Sequence, residues 1–192
     1  LADALGPDDT ALELAHLGAS LTGLHVYAAC LHDQRFRQME PSLPAKYQRP
    51  QELAHQRQTH QVLISQGLEI ISDSYLDPFE QQAQAAGVPL SRRTREGKNY
   101  AEVLKEAEEG QYDLVMLGAL GLGAGTRAPV GSVCERVVRC THTDVWVVRD
   151  NRPLRDGIVV AVDGSPWSQA AVRAAALLAR AWGAPLEMVA VY

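Results

Sequence analysis

Tyr112-Asp113-Leu114-Val115-Met116-Leu117 runs into Gly118-Ala119-Leu120-Gly121, and nine residues later Gly131-Ser132 opens Val133-Cys134-Glu135-Arg136-Val137-Val138-Arg139-Cys140. The first six residues form a nearly continuous apolar run, the pattern of a strand that a parallel sheet buries. Residues 132–140 read as a helix. A buried strand, a glycine-rich loop and a helix in that order deliver the loop to the carboxyl edge of a sheet, where open α/β folds bind ligands.

The same alternation extends in both directions. Upstream, Asp8-Asp9-Thr10 can cap a helix whose apolar face is Ala11, Leu12, Leu14, Ala15 and Leu17, with Gly18 as its stop. Leu21 to Ala29 reads as a buried strand. Residues 31–50, with prolines at 41, 44 and 50, read as a long, partly mobile connection. Gln51 to Ala86 is helical in pattern, with a break expected near Pro78. Pro89 to Thr94 reads as a short strand, and Tyr100 to Glu109 as an amphipathic helix with Ala101, Val103, Leu104 and Ala107 on one side. Downstream, Val145 to Val148 is a strand and Arg149 to Asp156 a charged linker. Gly157 to Val162 is a buried strand, Asp163-Gly164-Ser165-Pro166 a tight turn, Trp167 to Trp182 an alanine-rich helix stopped by Gly183, and Leu186 to Tyr192 a strand. Strands alternate with helices throughout. The expected class is α/β, an open and mainly parallel twisted sheet with helices on both faces, Rossmann-like.

An internal repeat organises the chain. Gly18 to Tyr27, GASLTGLHVY, aligns with Gly183 to Tyr192, GAPLEMVAVY, and Ala11-Leu12 aligns with Ala176-Leu177. The expected division is a repeat over 1–150 that lacks its first strand, then a segment over 151–192. That segment is either the first strand–helix–strand of a second repeat or a piece that completes the first. The chain starts without Met, and we read it as incomplete at both ends.

The loop has a chemistry of its own. Glycines at 118, 121, 123 and 125 let backbone approach a ligand closely. Successive N–H groups form an anion-binding concavity. Gly131-Ser132 opens a helix whose free N–H groups and positive dipole end favour phosphate. The Ser132 hydroxyl can donate once more, and Arg127 within the loop can pair with a phosphate.

The spacing G-x-x-G, nine residues, G-S, between YDLVMLG and SVCERVVR, resembles the nucleotide loop of ATP-binding universal stress proteins. IVVAVDGSPWSQAAVRAAALLARAWGA resembles the opening strand, aspartate turn and first helix of that family. RTREG at 93–97 resembles its third strand. The resemblance implies the adenine nucleotide α-hydrolase-like fold and ATP, with or without Mg2+, as ligand. Gly118, Gly121, Gly131 and Ser132 would then hold phosphates and ribose, Val133 would add a backbone N–H, and Asp163 would lie beside the nucleoside. Asp163 read from its own context is a cap or turn residue. Leu120 and Leu122 stand where the family often has polar or basic residues. The resemblance further implies a stress-response regulator, pairing as a homodimer or within a tandem chain. The alternative is a dimeric scaffold of the same fold that binds no nucleotide.

Other classes recede. The 192 residues are 46% apolar with a net charge of -5. That composition fits a cytoplasmic globular domain without general affinity for nucleic acid or membrane. No apolar run reaches eighteen residues, and residues 1–10 lack the basic-then-apolar order of a signal peptide. Cys30, Cys134 and Cys140 form neither a disulfide framework nor a zinc motif, and the latter two read as core filler. GxxxxGK[ST], GxGxxG and GxSxG are absent. Glu108 and Glu109 read as solvated charges. With no residue to position an attacking water, the sequence points to binding rather than catalysis, slow ATP hydrolysis aside.

Overall fold

A computed structural model of the chain describes residues 9–27, 38–121, 130–149 and 156–190. The elements run α1 (Asp9–His16), β1 (Leu21–Tyr27), α2 (Pro50–Ala85), β2 (Leu90–Glu96), α3 (Asn99–Glu109), β3 (Leu114–Gly118), α4 (Ser132–Cys140), β4 (Asp144–Val148), β5 (Ile158–Val162), α5 (Pro166–Trp182) and β6 (Leu186–Ala190). The chain divides into two compact units. Ser20–Arg149 make up most of the first, and Asp8–Ala19 with Asp150–Tyr192 make up the second.

The α/β alternation and the parallel pairing stand as expected. Among the described residues the hydrogen-bonded ladders are three parallel pairs, β1–β2, β3–β4 and β5–β6, rather than one continuous sheet. In the first unit β1 runs in register with β2 from Leu21↔Leu90 to Tyr27↔Glu96, and the Gly97 N–H carries the ladder on to the Tyr27 carbonyl at 2.8 Å.

Helix α2 packs on β1 and β2 through the face of Ser72, Leu76, Phe79 and Ala83. A methyl at Gly23 would meet Leu76 Cδ2 at 3.1 Å and Phe79 Cδ1 at 3.3 Å, so glycine there sets how closely helix and strand approach. His25 Nδ1 lies 2.7 Å from Ser72 Oγ, whose own proton goes to the Leu68 carbonyl at 2.9 Å. His25 must therefore donate from Nδ1, which fixes the neutral tautomer. Burial holds the imidazole below its ordinary pKa, in keeping with that neutral form.

The break expected at Pro78 is not there, and α2 runs through it for 36 residues. Tertiary ties span the proline. Leu76 and Ala83 are buried on either side. Arg92 of β2 bridges Asp73 at 2.5 Å, Asp77 at 2.8 Å and Glu80 at 2.9 Å. The 31–50 segment is also more ordered than expected where it is described. Glu40–Ser42 and Ala45–Tyr47 are single 3-10 turns. Gln48 Nε2 donates to the Leu43 carbonyl at 2.7 Å, and Arg57 of α2 pairs with Glu40.

Arg95 fastens α3 to β2. Its guanidinium pairs with Glu106 and Glu109 and lies 3.7 Å from Glu102, while Tyr112 donates to Glu106 at 3.0 Å. Glu109, read from sequence as a solvated charge, is thus a partner of Arg95. Burial pushes the Glu106 carboxyl up, but the bonds from Arg95 and Tyr112 outweigh it and hold the pKa below the usual value.

In the second unit α5 packs on β5, with Val160, Ala175 and Ala179 buried. Gly183 ends α5 at φ 64 and Gly18 follows α1 at φ 100, the left-handed stops expected of them.

Candidate functional site

The chain reaches the glycine turn along β3, whose last residue, Gly118, pairs with Val148 of β4. The Ala119 N–H donates to the Val148 carbonyl at 2.7 Å, extending the ladder one step. The Gly131 N–H then donates to the Ala119 carbonyl at 2.6 Å. The two arms of the 119–131 loop are thereby clasped at their base. A methyl at Gly131 would meet Ala119 O at 3.3 Å, Gly121 N at 3.6 Å and Leu120 Cα at 3.7 Å. Glycine at 131 is what lets the arms lie together. At Gly121 nothing stands within 4 Å of the same probe, so its backbone is open.

Helix α4 begins immediately after the clasp. Gly131 sits at its N-cap in extended conformation, φ -73 and ψ 153, and supplies no side-chain cap. The first intrahelical bond runs from the Glu135 N–H to the Gly131 carbonyl at 2.9 Å. The N–H groups of Ser132, Val133 and Cys134 precede that bond and so have no partner within the helix. These three donors sit at the positive end of the helix dipole, beside the exposed Ser132 hydroxyl. The Gly131 N–H, by contrast, is engaged by Ala119. The helix is held from below by Val137, fully buried, and Cys134, 3% exposed, whose thiol pKa burial raises. Cys134 is core filler as expected. Cys140 is exposed, because six residues further along the helix turn it about 120° away from Cys134.

Of the residues singled out in the sequence, Gly118, Gly121, Gly131, Ser132 and Val133 come together at this strand-to-helix junction. Arg127 lies outside the described residues, as do Gly123, Gly125 and Cys30.

Asp163 belongs to the second unit. Its Oδ1 accepts from the Ser165 N–H at 2.9 Å across Gly164, which takes φ 80. Ser165 Oγ in turn accepts from the Ser168 N–H at 3.1 Å and caps α5. Hydrogen bonds from the Ser165 side chain and backbone hold the carboxyl below its ordinary pKa. A cavity of about 400 Å³ opens beside this turn, over Val162, Val172 and Met188. Sequence reasoning did not anticipate the Gly131–Ala119 clasp, which is a backbone contact with no side-chain signal.

The profile described as "Universal stress protein family" matches residues 8–149. A universal stress protein of Methanocaldococcus jannaschii is 32% identical over 87 residues, 45% of this chain and 51% of that protein. A putative universal stress protein of Staphylococcus saprophyticus is 40% identical over 80 residues, 41% of this chain and 48% of its own. The chain thus spans about half the length of these relatives. Among solved structures, a universal stress protein from Archaeoglobus fulgidus aligns with a TM-score of 0.58 and 22% identity, over 70% of this chain and 50% of that one. The hypothetical protein MJ0577 aligns with a TM-score of 0.53 and 15% identity, over 76% and 91%. At these identities the structural likeness is one of fold. Among the described residues no helix is long and apolar enough to cross a membrane.

Proposed function

Because this chain belongs to the universal stress protein family, we propose that it binds an adenine nucleotide, ATP with or without Mg2+, at the turn from Gly118 to Ser132. The observation that carries the reading is the uncapped start of α4. Three backbone donors, Ser132, Val133 and Cys134, have neither intrahelical partners nor, among the described residues, a capping side chain, and the loop before them is clasped at its base by Gly131 and Ala119. Donors in that position favour an anion, and phosphate oxygens satisfy them together with the Ser132 hydroxyl. Gly118 and Gly121 leave room for the ligand, and Arg127 is the cation available to a terminal phosphate. Asp163 already braces its own turn, and we assign it to that role. The chain acts as a nucleotide-dependent regulator in stress rather than an enzyme. Nucleotide biases an interface of a dimer or tandem pair.

The test begins with protein purified from its host and denatured. Released adenine nucleotide, or a rise in melting temperature at millimolar ATP and Mg2+, is expected. Neither signal would favour the nucleotide-free scaffold. Ser132→Ala should weaken ATP by about tenfold, the value of one hydrogen bond to a charged group. Gly131→Ala forces Ala119 away by a few tenths of an ångström and opens the clasp. It should weaken ATP at least as much, with the far-UV spectrum unchanged. Unaltered affinity in both variants would remove the loop from the site.

A further inference from the structure

Helix α2 is longer than the strands it rests on. Its 36 residues span about 54 Å, whereas the 7 residues of β1 span about 23 Å. Contacts fix how the two lie. Gly23 meets Leu76 and Phe79, and two residues further on His25 meets Ser72. Tyr27, the last residue of β1, is therefore level with Leu68 and Glu69, one helical turn away. The charge of Glu69 reaches it. Burial first, then Glu96 and Glu69, raise the pKa of the Tyr27 phenol. Residues 50–66 accordingly stand beyond the carboxyl end of β1, over about 25 Å.

The two parts of α2 are held differently. From Ser72 to Ala83 the helix is tied to the strands, by His25 at Ser72, by Leu76 and Phe79 over Gly23, and by Arg92 at Asp73, Asp77 and Glu80. Ahead of Gly67 the bonds close on the projecting part itself. Arg57 pairs with Glu40 and Arg49 with Glu52, while Pro41, Gln48 and Leu53 line one small cavity. The two 3-10 turns and residues 50–66 thus form one body. Gln51, Gln56, Gln58, Thr59 and Gln66 on it are exposed.

Gly67 stands at the boundary, little more than one turn before the first tie to the strands. Glycine in a helix interior costs about 1 kcal/mol relative to alanine. A methyl at Gly67 would meet nothing within 4 Å, and its φ is not positive, so neither space nor a left-handed backbone calls for glycine here. What glycine supplies is a soft point in the helix ladder, and helices bend at such points.

We propose that α2 is a hinged lever, in which residues 72–85 are clamped to the β1–β2 ladder and residues 39–66 swing as one body about Gly67. The movement breaks none of the ties described for either part. It strains only the bonds that cross Gly67, from the N–H groups of 68–71 to the carbonyls of 64–67. Gln51 lies about 24 Å from Gly67 along the helix, so a bend of about 30° moves it by about 12 Å. The swing widens or narrows the approach to the carboxyl ends of β1 and β2, the edge where open α/β folds bind ligands. The hinge belongs to the free chain and does not depend on the ligand proposed for Gly118 to Ser132.

Spin-label distances in the full chain, with Cys30 and Cys140 replaced by Ser, test the lever. Labels at Gln51→Cys and Glu108→Cys should give a distribution on the order of 10 Å wide, matching that swing. Labels at Gln81→Cys and Glu108→Cys, both on the clamped side, should give one less than half as wide. Gly67→Ala should narrow the Gln51 distribution to the width of the Gln81 one. It should also slow amide exchange at 68–71 about fivefold, the equivalent of about 1 kcal/mol. Thr59→Ala raises helix propensity within the lever without touching Gly67, and should leave the width as it is. A Gln51 distribution as narrow as the Gln81 one in the parent chain, or a width indifferent to Gly67→Ala, would overturn the proposal. So would an equal narrowing by Thr59→Ala, which would make the motion fraying of the helix end.

Discussion

Two turns of this molecule do the same topological job in opposite ways. Both lead from the carboxyl end of a parallel strand into a helix. At β5–α5 the turn satisfies itself. Asp163 accepts from the Ser165 N–H, Ser165 accepts from the Ser168 N–H, and Pro166 opens the helix without a donor to place. At β3–α4 no side chain among the described residues plays that part. Gly131 stands at the cap, its N–H clasps the loop base, and the donors of Ser132, Val133 and Cys134 are left over. Local stability favours the first design, since a Ser cap is worth about 1 kcal/mol. The second makes sense where something else supplies the acceptors. The contrast between a capped helix start and an uncapped one supports the proposed ligand site without reference to any relative.

The comparison breaks most visibly from beneath α4. Lacking a cap, this helix depends on burying Val137 and Cys134. Val137→Ala empties a fully buried position and should cost roughly 2 kcal/mol, by the usual penalty of removing buried methyl groups and leaving a cavity. Denaturant unfolding followed through Trp146 should report the loss, and any ATP response should fall with it because the donors are no longer held in line. A cost below about 0.5 kcal/mol would mean that α4 is fixed by other contacts.

That dependence bears on what the sequence could disclose. Helix α4 was legible to the residue, Ser132 to Cys140, because strand, glycine loop and helix differ sharply in composition. The order and parallel character of the strands followed from the same alternation, and the glycine and serine positions that meet at the junction were all visible as a pattern. Features that depend on partners distant in the chain were not. Pro78 read as a break because intrinsic preference says so, while Arg92, fifteen residues away from Asp77, ties the helix together across it. Cys140 read as core because apolar composition alone does not fix a rotation. Glu109 read as solvent-facing because nothing local reveals Arg95. The division into three ladders, and the grouping of α1 with residues 150–192, depend on tertiary contacts that periodicity does not encode.

A smaller effect is expected at the closed turn. Ser165→Ala removes the cap of α5 and should cost about 1 kcal/mol, read as roughly fivefold faster hydrogen exchange at the Ser168 amide. The corresponding change at the open turn, Ser132→Ala, removes no cap and should leave exchange at Glu135 unaltered in the absence of nucleotide. Equal responses at the two helices would erase the distinction between them.

The finest test is electrostatic and reads the closed turn alone. The Ser165 hydroxyl and amide favour the ionised form of Asp163, so its folded-state pKa lies below the ordinary 3.8. For a lowered carboxyl pKa the unfolded chain binds protons more readily. The turn's electrostatic contribution is therefore complete above the unfolded value and is lost as pH falls through the folded one. The Asp163 carboxyl resonance should titrate below 3.8, and Ser165→Ala should move its midpoint back up. Saturating ATP should leave the midpoint where it is if Asp163 serves only its own turn. A midpoint that moves with ATP would end the assignment of Asp163 to its own turn alone.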